Sequence, residues 1–97
     1  MYQYQYRIYV GCNKPNGAPY PPAQVESIGL HSCRFEGCTV QHVTGVWKGE
    51  KEKTVVFEYV GVKGDKEAVL EWAGKLKNAF RQEAVLVTCS RVSRWLV

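Results

Sequence analysis

Five apolar residues, Val69, Trp72, Ala73, Leu76 and Phe80, recur three and four positions apart. On a helix that spacing makes one stripe, and a stripe carrying two large aromatic rings must be covered by a second layer. Gly64-Asp65 opens this helix, with Asp65 placed as an N-cap whose carboxylate accepts from the free amides of the first turn. Lys75, Lys77 and Arg81 lie near the other end, where positive charge complements the helix dipole.

The covering layer reads as a sheet. From Tyr2 to Val10, Tyr2, Tyr4, Tyr6, Ile8 and Val10 alternate with Gln3, Gln5, Arg7 and Tyr9, the pattern of a strand with one buried face. Thr39–Trp47 and Lys53–Val62 are rich in β-branched and aromatic residues. In the second of these, Val55, Phe57 and Tyr59 share one face and Val56, Glu58 and Val60 the other. Lys48-Gly49-Glu50-Lys51 joins the two as a hairpin turn. Ala84–Cys89 forms a last, buried strand, which a bulge would extend through Arg91 to Val97.

Gly11–Pro21 contains Asn16-Gly17 and prolines at 15, 19 and 21, whose missing N–H groups oppose a ladder, so it is a loop. Pro22 suits the first turn of a short helix reaching about His31, with Val25, Ile28 and Leu30 as its apolar stripe; Gly29 lowers its stability. The resulting order is strand–helix–strand–strand–helix–strand. It predicts an α+β fold, a ferredoxin-like sandwich with two helices on one face of an antiparallel four-stranded sheet. Arg7, Tyr9, Thr39 and Trp47 then fall on the other face, too apolar in part for water, so that face or an edge strand is expected to build a homo-oligomer.

A chain of 97 residues should bury about two thirds of its unfolded surface, enough for one core, so residues 1–97 are read as a single domain. Hydrophobic residues at 45% and charged residues at 23% exclude the disordered and collagen-like classes. Met1–Val10 lacks the basic start and apolar run of a signal peptide, and no stretch reaches the roughly 20 apolar residues of a membrane span. A cytoplasmic location is expected, with Cys12, Cys33, Cys38 and Cys89 as free thiols. The net charge of +4 leans toward anionic ligands without indicating DNA binding.

The densest set of metal-ligand types is His31, Cys33, Cys38 and His42. Zinc accepts two imidazoles and two thiolates, but this is not a finger spacing, and on an extended strand Cys38 and His42 stand about 13 Å apart. No metal and no cofactor is assigned. Cys33 beside His31 or His42 is the sequence-local option for a nucleophile, and an ordinary reduced thiol is the simpler reading. Glu50 and Glu52 sit in a lysine-rich turn and read as a solvated face. Tyr9, Trp47 with Lys48, Lys53, Arg81 with Gln82, and Arg91 offer stacking faces and cationic donors for a base and a phosphate.

Three stretches, Arg34-Phe35-Glu36-Gly37-Cys38-Thr39-Val40, Thr44-Gly45-Val46-Trp47 and Phe80-Arg81-Gln82-Glu83-Ala84-Val85-Leu86, together resemble a family of small bacterial and phage proteins of unknown function. Its members open the second strand with F-x-x-G-x-T-V, end it with G-x-W and join helix to last strand with F-x-Q-E-x-V-L. Here one residue separates Phe35 from Gly37, and Pro21-Pro22 stands where the family begins its helix with Ser or Thr. The resemblance implies the ferredoxin-like α+β fold and no established chemistry.

The functional expectation is a non-enzymatic, oligomeric protein that binds or sequesters a small anionic ligand of nucleotide type between subunits, because so small a sandwich lacks room for a deep internal pocket. Arg7, Tyr9, Trp47, Lys48, Arg81 and Gln82 are its candidate ligand-binding residues. Small phage proteins that sponge up nucleotide signals share this build, an analogy that admits a phage anti-defence role. Two alternatives remain open: a module docking a partner protein through a sheet face or edge, and a small nucleotide-cleaving enzyme using His31, His42 or a glutamate as base. The aromatic pattern of RNA-recognition motifs is absent.

Overall fold

A computed structural model describes residues 2–97, and side chains from Gln3 onward. Strand β1 (Tyr2–Gly11) is followed by helix α1 (Pro22–His31), strands β2 (Thr39–Trp47) and β3 (Glu50–Gly61), helix α2 (Lys66–Ala79) and strand β4 (Leu86–Ser93). The four strands form one antiparallel sheet in the order β2-β3-β1-β4. The chain is α+β, with the strand order of a ferredoxin-like sandwich.

Register separates the two sheet faces. Ile8 lies opposite Phe57 on one side and Val87 on the other, and Val40 continues the row, so these residues face the helices. Arg7, Glu58, Thr39 and Thr88 form the neighbouring row and face away. Tyr9 and Trp47 share that outer face, as the alternation in the sequence predicts.

On the helix face, Tyr6, Ile8, Val10, Val55 and Phe57 are buried beneath Val69, Trp72, Ala73, Leu76 and Phe80. The Trp72 ring meets Phe57 edge-on at 5.4 Å, and its indole N–H donates to the Gly29 carbonyl at 3.2 Å. That bond ties α2 to α1. It also satisfies a polar group that burial would otherwise leave unpaired.

Several local expectations are corrected. The buried face of α1 is Val25 and Gly29; Ile28 and Leu30 are 38% and 43% exposed. Gly29 lies so close to the sheet that a β-carbon there would stand inside the Phe57 ring, so the smallest residue makes the contact. Asp65 does not cap α2 with its side chain. After a single 3-10 turn at Lys63–Asp65, its carboxylate turns back to accept from the Val62 amide at 3.0 Å and the Tyr59 hydroxyl at 2.8 Å. Strand β3 begins at Glu50, because Lys48 and Gly49 alone make the hairpin turn, both with positive φ (50° and 78°), as a two-residue turn matching strand twist requires. Strand β4 starts at Leu86, runs to Ser93 in unbroken register with no bulge, and is largely exposed. As an edge strand it has a partner on one side only.

Two glycines test this packing in opposite directions. Gly29→Ala should cost about 1–3 kcal/mol, because Phe57 is locked against Trp72 and cannot move aside. Gly74→Ala, on α2 with open space around it, should gain about 0.5–1 kcal/mol. Urea unfolding midpoints read both; a neutral Gly29→Ala would contradict the close approach.

Candidate functional site

Where α2 ends, Phe80 closes the helix and Arg81 takes a left-handed conformation with φ of 52°. The Arg81 amide donates to the Asn78 carbonyl at 3.3 Å and the Gln82 amide to the Lys77 carbonyl at 2.9 Å. These are the two bonds of a Schellman turn, which here carries arginine where glycine is cheaper. The turn fixes Gln82 and Glu83 over the end of the sheet. Glu83 reaches the β2–β3 hairpin, where the Lys48 ammonium lies 3.0 and 3.1 Å from its two oxygens. Hydrogen bonding and charge from Lys48, with a smaller contribution from Trp47, hold the Glu83 carboxyl below its ordinary pKa.

Between this latch and the outer sheet face lies a hollow of about 410 Å³, walled by Tyr9, Trp47, Leu86 and Gln82 and floored by Gly11, Gly45, Glu52 and Thr54. Two strand glycines make the floor deep. The Glu52 carboxylate occupies the place a β-carbon on Gly11 would take, and Thr54 Oγ1 lies 2.8 Å from where one on Gly45 would be. Glu52 accepts from the Asn13 amide at 3.1 Å and makes no ion pair among the described residues. A second hollow of about 400 Å³ adjoins the first across Trp47, Glu52, Gln82 and Glu83, and adds Lys14, Glu50 and Arg81.

Of the six candidates named from sequence, Tyr9, Trp47 and Gln82 line the first hollow and Arg81 the second. Lys48 sits at the rim, 6.0 Å from the centre of the Trp47 ring and paired with Glu83. Arg7 lies outside, on the same face two residues from Tyr9, and its guanidinium is taken by Glu58 at 2.8 Å. Glu52, Asn13 and Glu83 were not among the candidates. Strand alternation does place Glu52 beside Thr54 on the outer face; reading Glu50 and Glu52 together as a solvated turn hid it.

The cysteine and histidine set does not converge. Cys33 and Cys38 are free thiols, the Cys33 thiol donates to the Phe35 carbonyl at 3.7 Å, and burial, with the neighbouring Cys33, pushes the Cys38 pKa up to about 11, which opposes a reactive thiolate. His42 pairs with Glu26 on α1 at 2.8 Å. Among the described residues no group of three or more His, Cys, Asp or Glu side chains could hold a metal ion, and no helix is long and apolar enough to cross a membrane. A separate, mostly apolar hollow of about 240 Å³ opens on the helix side between α2 and β4.

The latch should respond to pH. A carboxyl whose folded pKa is depressed contributes its bond above the ordinary value of 4.5 and loses it as pH falls through the lowered one. Tryptophan fluorescence should therefore show a step below pH 4.5 that Glu83→Gln abolishes; an identical step in the variant would contradict the latch.

No family model and no curated protein matches the chain. Among solved structures it is similar to a phage SAM lyase in its apo state, with a TM-score of 0.77 and 22% identity over 91% of this chain and 79% of that one. It is also similar to the de novo designed protein Foldit4, with a TM-score of 0.49 and 18% identity over 96% of this chain and 98% of the other. At these identities the likeness to the lyase is one of fold.

Proposed function

We propose that this chain binds an S-adenosylmethionine-type sulfonium ligand in the hollow around Glu52 and breaks it, the activity named for its structural neighbour. The observation that carries the reading is the Glu52 carboxylate. It is half-buried at the floor of an aromatic-walled hollow, without a basic partner among the described residues. Among the described residues, the charged ones lining the first hollow are Glu52 and Glu83. Such a site favours a cation, held by the carboxylate and by the faces of Tyr9 and Trp47, over the anionic nucleotide that the scattered basic residues suggest. Trp47, at 52% exposure, retains a free face on which an adenine ring can stack.

The neighbour's fold and name support this choice of ligand. A sulfonium carries its own leaving group: as the bond between sulfur and the γ-carbon breaks, the electron pair stays on sulfur and neutral 5′-methylthioadenosine departs, while the ligand's own carboxylate oxygen bonds to that carbon and closes a lactone. Glu52 is the side chain best placed to meet the charge. Holding the ligand without breaking it is the second reading, supported by the same hollow. Either act withdraws a methyl donor, and in a phage that would serve an anti-defence role. We extend the proposal to a second copy of the chain covering Trp47 and Leu86, exposed at 52% and 60% beside the hollow; light scattering should return a mass above that of one 11.0 kDa chain, and a monomer at working concentration would remove that part.

Calorimetry and mass spectrometry test the main reading together. The parent should bind S-adenosylmethionine more tightly than its neutral thioether, S-adenosylhomocysteine, and convert it to 5′-methylthioadenosine. Glu52→Gln should weaken binding of the sulfonium by about tenfold or more, the range of a charge-assisted contact, with a smaller loss for the thioether, and stop turnover. Binding without turnover selects sequestration. Equal affinity for both ligands, or tighter binding of ATP, would overturn the cation site.

A further inference from the structure

Gln82 is held in one orientation. Its side-chain Nε2 donates to the Asn13 carbonyl at 3.1 Å and to the Phe80 carbonyl at 3.0 Å. Both partners only accept, so the amide cannot be reversed, and both of its N–H bonds are used. Its carbonyl oxygen accepts no hydrogen bond among the described residues, on a side chain that lines both hollows. The backbone of Asn13 joins the two walls: its carbonyl takes Gln82, and its amide donates to Glu52 at 3.1 Å. The Schellman turn fixes the Gln82 backbone from the other side.

We propose that Gln82 is a specificity-determining residue of this hollow, its side-chain carbonyl and the Glu52 carboxylate forming an acceptor-only pair that selects ligands bearing a primary ammonium. The inference rests on the proposed binding of an adenosyl ligand and adds which end of it is read. An acceptor pair needs N–H donors and not charge alone. A primary ammonium offers three; a quaternary ammonium of the same charge offers none. The second hollow adds the carboxylate Glu50 and the cations Lys14 and Arg81, so the pair belongs to the first hollow, whose charged lining among the described residues is Glu52 and Glu83.

Three probes separate the possibilities by calorimetry: S-adenosylhomocysteine, its N-trimethyl derivative, and 5′-deoxy-5′-dimethylsulfonioadenosine, which keeps the sulfonium and lacks the amino-acid end. The parent should bind the primary amine at least about tenfold more tightly than the trimethyl form. Gln82→Met, with its melting temperature measured alongside, should lose about that factor for the primary amine and change less than twofold for the aminoless sulfonium. Loss of both probes in equal proportion would make Gln82 a merely structural residue, and no discrimination by the parent would overturn the acceptor pair without using the variant. If the aminoless sulfonium binds the parent but the ammonium makes no difference, this inference alone fails. If no adenosyl ligand binds, the function proposed above fails and takes this inference with it.

Discussion

The seat of Trp72 on the sheet is the constraint from which the rest follows. Its ring lies edge-on to Phe57 while its N–H reaches Gly29, so one side chain locks β3, α1 and α2 together. With α2 anchored along Val69, Trp72, Leu76 and Phe80, its last turn is delivered to one end of the sheet. Phe80 is buried there and meets Tyr20 of the first loop at 5.2 Å. The helix therefore ends against packed aromatic surface, and the residues after it cannot drift. Their position over the end of the sheet begins with core packing and is completed by the contacts of Gln82 with Asn13 and of Glu83 with Lys48.

From that fixed end the hollow is assembled by short contacts between segments distant in sequence. Gln82 and Glu83 meet Asn13 from the first loop and Lys48 from the β2–β3 hairpin. Gly11 and Gly45 leave the floor open enough for Glu52 and Thr54 to occupy it. A carboxylate so placed has lost part of its water and gained one backbone N–H, and a cation would supply the remaining stabilisation. The basic residues that dominate the net charge are engaged elsewhere or lie outside the first hollow: Arg7 with Glu58, Arg34 with Glu71, Lys48 with Glu83. Net charge describes the whole surface, and the sign of a site depends on which charges remain unpaired within it.

The alternation in Tyr2–Val10 and in the third strand, with the period of α2, was enough to read the element order and the two sheet faces, because burial on one side imposes those periods. The stripe of α1 was not legible. A glycine making the closest contact to the sheet looks like a flaw in sequence and becomes the contact only once Phe57 lies beneath it. The cap role expected of Asp65 failed because Tyr59, six residues earlier on β3, offered its hydroxyl as a second partner together with the Val62 amide. Tyr9, Trp47 and Gln82 were named from sequence as stacking and polar groups, and the structure places them along one hollow; Arg7 lies outside it, held by Glu58 through a strand register that the sequence does not display. Glu52 on β3 needed the positions of Gly11 on β1 and Gly45 on β2, two other strands.

A crystal structure with the adenosyl analogue that carries an amine in place of the sulfonium tests the central claim most directly, since that analogue keeps the charge and has no sulfonium bond to break. The account requires the amine within hydrogen-bonding distance of the Glu52 carboxylate, with the adenine ring against Trp47 or Tyr9. An analogue lodged in the helix-side hollow between α2 and β4, or bound with Glu52 still contacting only Asn13, would contradict it.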